Sequence, residues 1–162
     1  MLYHGASKFG YGYAAGESIL GHGLDAGVSR SRILTLYEQA AMGGLGEAMN
    51  ALGLLLEEEY SSVLTGGGQS AYAPETAEML CDAIRWYFTA AEHGVMEAAC
   101  NLAFLISRGD NRLTPTDIEA VVGEPDASEQ LQRWLVQSIA MGHPRSSLFK
   151  SALEQFSARL TI

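Results

Sequence analysis

The chain repeats one phrase three times. Leu36-Tyr37-Glu38-Gln39-Ala40-Ala41-Met42-Gly43-Gly44 returns as Trp86-Tyr87-Phe88-Thr89-Ala90-Ala91-Glu92-His93-Gly94. A degenerate third copy reads Trp134-Leu135-Val136-Gln137-Ser138-Ile139-Ala140-Met141-Gly142. Tyr37 recurs 50 residues on at Tyr87, and Trp86 recurs 48 residues on at Trp134. Internal repeats of this period mean stacked supersecondary units, each covering an apolar face on its neighbour.

Helical spacing runs through every copy. Ile33, Leu36 and Ala40 correspond to Ala83, Trp86 and Ala90, and to Leu131, Trp134 and Ser138. Their i, i+3, i+7 spacing sets them on one helix face. A neighbouring stripe holds Leu34, Tyr37 and Ala41, then Ile84, Tyr87 and Ala91, then Gln132, Leu135 and Ile139. Two adjacent stripes suit a helix buried on one side by its partner and on another by the next unit. Each of these helices stops at a glycine: Gly43 or Gly44, Gly94, Gly142. Glycine just past a helix accepts the left-handed conformation without a Cβ clash. Second helices follow at once, beginning Glu47-Ala48, Glu97-Ala98 and Arg145-Ser146. Such short turns force antiparallel pairs. Small residues at Ala48, Gly53, Ala98 and Ala103 are expected where helices meet.

The pattern [WY]-Y-x-x-A-A-x-x-G followed by A-x-x-N-L-[GA]-x-L resembles the Sel-one-like repeat family, relatives of tetratricopeptide repeats. Trp86-Tyr87, Ala90-Ala91, Gly94, Ala98, Asn101-Leu102-Ala103 and Leu105 carry the likeness. The first copy has Ala51 in place of the asparagine. The third has Leu135, Ser138-Ile139 and Lys150 where Tyr, the Ala pair and Leu stand in the motif. The resemblance implies an all-α, right-handed α–α superhelix, a solenoid of about three helix pairs with loop insertions. Its expected divisions are a partial N-terminal unit over 1–30, repeat one with an insert over 31–76, repeat two with an insert over 77–126, and repeat three with a C-terminal cap over 127–162.

The family unit is shorter than the periods here, which predicts inserts at Tyr60–Thr76, containing Gly66-Gly67-Gly68 and Pro74, and at Asn111–Asp126. In the second, Thr114-Pro115-Thr116-Asp117 reads as an N-cap with proline at the first helical position, predicting a short helix to about Val122 stopped by Gly123. The last helix is expected to bury Leu148, Phe149, Ala152, Leu153, Phe156 and Leu160, and to turn Lys150, Glu154, Gln155 and Arg159 to water as a cap. Ala14–Gly23 resembles the tail of a second helix, preceded by Tyr3, Phe9, Tyr11 and Tyr13 among glycines.

Charge narrows the partners. The formal net charge of the 162 residues is −9. Nucleic acid calls for a basic footprint, and anionic membrane surfaces repel such a chain. No stretch has the length of a membrane span or a signal peptide, so the expectation is a soluble intracellular protein. Its two cysteines, Cys81 and Cys100, are read as reduced thiols.

Candidate chemistry is sparse. Ser147-Leu148-Phe149-Lys150 matches the S-x-x-K of penicillin-recognising enzymes, and the resemblance extends to cysteine-rich relatives associated with weak β-lactam activity. S-D-N and K-T-G are absent from the chain. Gly66-Gly67-Gly68 lacks the phosphate-loop frame and its lysine. His4, His22, His93 and His143 share no metal-ligand spacing, so neither metal nor cofactor is expected. Arg108-Gly109-Asp110 is read as a helix end. Glu57-Glu58-Glu59 is read as the solvated face of a helix continuing to Val63 or Leu64, with docking of a cationic partner as the alternative.

What remains are the residues that the apolar stripes leave over: Thr35 and Gln39, Arg85 and Thr89, Arg133 and Gln137, with Phe88 as an aromatic anchor. The resemblance implies that first helices line a concave groove. The expected function is a non-enzymatic protein-interaction module, an adaptor, scaffold or subunit of a larger complex, whose partner is a protein, basic or neutral. An acidic inhibitor or immunity-type protein that neutralises a basic effector is the alternative, and a β-lactam-hydrolysing enzyme the third reading.

Overall fold

A computed structural model describes residues 30–66, 74–108 and 113–160. The expected N-terminal partial unit, His4, His22, Gly67-Gly68 and Gly109-Asp110 lie outside these residues. The described chain is all-helical, with seven helices and no strand among the described residues. They are α1 (Arg30–Met42), α2 (Gly46–Thr65), α3 (Pro74–Glu92), α4 (Met96–Ser107), α5 (Pro115–Val122), α6 (Ala127–Ala140) and α7 (Ser146–Leu160). None is long and apolar enough to cross a membrane.

Packing follows chain order. α1 lies on α2, α3 on α4 and α6 on α7. α2 touches both α3 and α4, and α4 touches both α6 and α7. The short α5 packs on α3 and α6. The two apolar stripes supply the core: Tyr37, Ala40, Ala83, Ile84, Tyr87, Ala90, Leu131 and Leu135 are each wholly buried.

The glycine turns are one structure built three times. Leu45 N–H reaches the Ala40 carbonyl at 3.1 Å, Val95 reaches Ala90 at 3.0 Å, and His143 reaches Ser138 at 3.0 Å. Inside each, Gly44, Gly94 and Gly142 donate to Ala41, Ala91 and Ile139. These paired bonds form the Schellman motif, which satisfies carbonyls that a helix end leaves over. It needs a positive φ at the glycine, and the three values are 95°, 92° and 74°. The sequence left Gly43 or Gly44 open, and the bonding selects Gly44.

The short helix expected in the second insert is correct in detail. Thr114 Oγ1 accepts from the Asp117 N–H, Asp117 Oδ2 accepts from the Thr114 N–H at 2.8 Å, and Gly123 closes α5 at φ 84°. Both ends are also held from outside. Arg159 Nε donates to the Leu113 carbonyl at 2.9 Å, and Arg85 Nε to the Val121 carbonyl at 3.2 Å.

The first expected insert is not a loop through its length. α2 runs on to Thr65 and α3 begins at Pro74, so Tyr60 and Thr76 are helical and fully buried. The cap is narrower than its pattern: α7 buries Phe149, Ala152 and Phe156, while Leu148 and Leu160 stay exposed. Arg159 is drawn inward by the Leu113 carbonyl.

Among these contacts, α2 against α3 is the most extensive. A tight point within it is Gly53, where an added Cβ would sit 2.5 Å from the Tyr87 ring. Tyr87 is fully buried and its hydroxyl is held, so the ring cannot swing away cheaply. Gly53→Ala is expected to cost about 1–3 kcal/mol by overpacking. Urea unfolding should show that cost shrinking in a Tyr87→Leu background. Strict additivity of the two substitutions would place the strain elsewhere.

Candidate functional site

The residues that the stripes leave over are not all at the surface. Thr35 and Gln39 are exposed on α1, with the Thr35 hydroxyl bonded back to the Ser31 carbonyl at 2.8 Å. Arg133 and Gln137 are exposed on α6. There they line a groove of about 530 Å³ with Glu129, Gln132 and Val136, a valine that is 49% exposed. Arg133 stands 3.9 Å from Asp126.

The middle set is different. Phe88, expected as the anchor, is 1% exposed and packs on Trp134 with ring centroids 4.9 Å apart. Burial inside the chain removes it from the surface, and Trp134 of α6 is one of its neighbours. Arg85 is exposed, and its guanidinium group donates to the Val121 carbonyl and to Asp82 Oδ1 at 2.9 Å. Thr89 is half-buried and donates to the Arg85 carbonyl. Thus α5, packed on α3 and α6, engages Arg85, while α6 takes up Phe88.

A second surface was not legible as such. Along the seam of α2 and α4, the Asn101 amide donates to Asn50 Oδ1 at 3.1 Å. Two grooves flank this bond. One, about 340 Å³, is lined by Glu47, Asn50, Gly94, Val95 and Glu97. The other, about 560 Å³, is lined by Leu54, Glu57, Glu58, Ser61, Asn101 and Phe104.

Glu57 corrects the expectation of a solvated acidic face. The helix continues as expected, yet Glu57 Oε1 accepts from the Tyr87 hydroxyl at 2.6 Å, and Oε2 from Arg108 at 3.3 Å. Arg108 also donates to Ser61 Oγ at 3.0 Å and lies over the Tyr60 ring at 5.7 Å. Burial first, and then the facing carboxylate, push the Tyr87 hydroxyl far above its ordinary range, so it stays protonated as the donor. At the other end, His143 Nδ1 accepts from the Arg145 N–H at 3.0 Å. This leaves Nε2 to carry the hydrogen, facing Glu97 at 3.4 Å, while the ring lies on Phe149.

Ser147 and Lys150 are both exposed on α7. Among the described residues, no group of three or more His, Cys, Asp or Glu is placed to hold a metal ion. Both cysteines are free. No family model matches the chain, and no curated protein or solved structure is significantly similar to it.

Cys100 is buried and its thiol is pushed up to about 11, chiefly by burial. Burial also raises Cys81, while Arg85 pulls it part of the way back. Since the thiolate is the reactive form, a thiol reagent at pH 8 should label native Cys81 slowly and Cys100 only on unfolding. Mass mapping of the labelled peptides reads this out, and fast native labelling of Cys100 would contradict its placement. Glu92 at the end of α3 is raised, first by burial and then by the facing Glu124. Its ionised form is therefore disfavoured in the folded chain, a penalty present above the folded pKa and relieved as pH falls through it. Because Glu92 is exposed, solvent screens most of this penalty, and Glu92→Gln should stabilise by about 0.5 kcal/mol or less at pH 7 and lose that gain near pH 4, measured by denaturant unfolding.

Proposed function

We propose that the chain is a non-enzymatic protein-interaction module of the Sel-one-like type, a right-handed solenoid of three helix pairs serving as adaptor, scaffold or assembly subunit. The observation that carries this reading is the same Schellman turn built at Gly44, Gly94 and Gly142, with equivalent helices before and after each. Recurring turns of one geometry are what stacked units require. The free parts of the first helices supply the partner face: Thr35 and Gln39 on α1, and Arg133, Val136 and Gln137 on α6. Arg133 and an exposed aliphatic side chain in one groove suit a protein surface, since arginine and apolar groups concentrate interface energy. Phe88 has no part in it.

The test is affinity capture from native lysate with the wild-type chain and with Arg133→Glu/Val136→Asp, both verified as folded by circular dichroism. The expected result is a dominant protein partner retained by the wild type and reduced at least tenfold in the variant. Identical capture by both chains would remove α6 from the partner face.

A further inference from the structure

We propose that the seam between α2 and α4 is a docking crevice for an extended basic peptide with apolar residues at its centre. This surface is separate from the α1 and α6 face, and its occupant is argued from shape, polarity and charge.

The shape is a pair of neighbouring grooves along one seam. The two grooves, about 340 Å³ and about 560 Å³, flank the Asn50–Asn101 bond, with Asn50 lining the first and Asn101 the second. The floor is apolar beyond that bond. Leu54 is 47% exposed, and Phe104 is half-buried in the same groove. A leucine this open between two packed helices offers area that an apolar side chain would cover.

Main-chain recognition comes from the amides. One bond joins the Asn50 and Asn101 side chains, and each carboxamide has further donor or acceptor capacity beyond it. An extended peptide brings unsatisfied N–H and C=O groups to match. A helix satisfies its own and gains nothing there.

Charge selects the flanks. Glu47 and Glu97 line one end and Glu57 and Glu58 the other. Arg108 lies against Glu57, and His143 faces Glu97. Among the described residues that line the two grooves, four are glutamates and none is cationic, and the whole chain carries −9. A second copy of this acidic chain is therefore repelled, while a basic segment is attracted. The length fits a short peptide. Glu47 and Glu57 are ten residues apart on one helix, which is about 15 Å at the helical rise. An extended strand covers that distance in about five residues.

The test uses the full chain and fluorescein-labelled peptides in fluorescence anisotropy. The first is Lys-Arg-Leu-Phe-Ile-Arg-Lys. The second, Lys-Arg-Ser-Gly-Ser-Arg-Lys, keeps the charge and loses the apolar centre. The third, Glu-Asp-Leu-Phe-Ile-Asp-Glu, reverses the charge. The first is expected to bind at least tenfold tighter than either control, and to weaken as salt rises. Leu54→Ser and Glu47→Lys/Glu58→Lys should each weaken it at least tenfold, while Arg133→Glu on α6 changes it less than twofold. The altered side chains are all exposed, so circular dichroism should show unchanged folding. Equal binding of both basic peptides would reduce the effect to diffuse charge and overturn the proposal. Insensitivity to Leu54→Ser, or no saturable binding, would also overturn it. Tighter binding of a helix-stapled form would overturn the extended occupant. Because the α6 variant is read separately, failure here leaves the partner face of the first helices standing or falling by its own capture experiment.

Discussion

Tyr87 seated against Gly53 is the contact on which the arrangement of α2, α3 and α4 depends. The absent Cβ lets an aromatic ring lie directly on the backbone of the neighbouring helix. The ring then delivers its hydroxyl to Glu57, whose second oxygen takes Arg108 from the end of α4. One carboxylate thus fixes three helices, with the Tyr60 ring under the guanidinium. Half-buried ionic groups of this kind are costly when one partner is missing and modest when all are present. Their effect here is registry: three helices can satisfy Glu57 together in one relative position.

What could be read from residues alone follows from locality. Gly44, Gly94, Gly142 and Gly123 mark helix stops because a positive φ is a property of the single residue, whatever surrounds it. Thr114 and Asp117 announce α5 because both halves of the capping box lie within four residues. Phe88 and Glu57 depart from what their local sequence implies, for the opposite reason. Their environments are set by Trp134 and by Tyr87 and Arg108, tens of residues away in sequence. The amide bond across the α2–α4 seam was hidden by the repeat itself. Aligning the copies sets Asn101 opposite Ala51, while in space Asn101 meets the preceding residue, Asn50. Repeat alignment finds equivalent positions, and interfaces pair positions that are not equivalent.

The third unit shows how a degenerate copy keeps its geometry. Leu45 and Val95 complete their turns with apolar side chains, and His143 completes the last with an imidazole. The backbone bonds are the same. The side chain, however, now links the α6–α7 turn to Glu97 at the start of α4, and its ring still lies on Phe149. Apolar packing is kept through the ring face, and a polar tie is added through its edge. The acidic seam and the last turn are therefore joined through a single carboxylate.

α5 is gripped at both ends by arginines that bond main-chain oxygens, Arg159 at Leu113 and Arg85 at Val121. Every amino acid carries such a carbonyl, so the grip is blind to what the segment spells. Inside it, Ile118 is fixed by burial and Asp117 by the cap, while Thr116 and Ala120 face outward. Those outward positions can change chemistry without moving the helix that carries them. The chain thereby holds a small display platform whose lettering and mounting are independent.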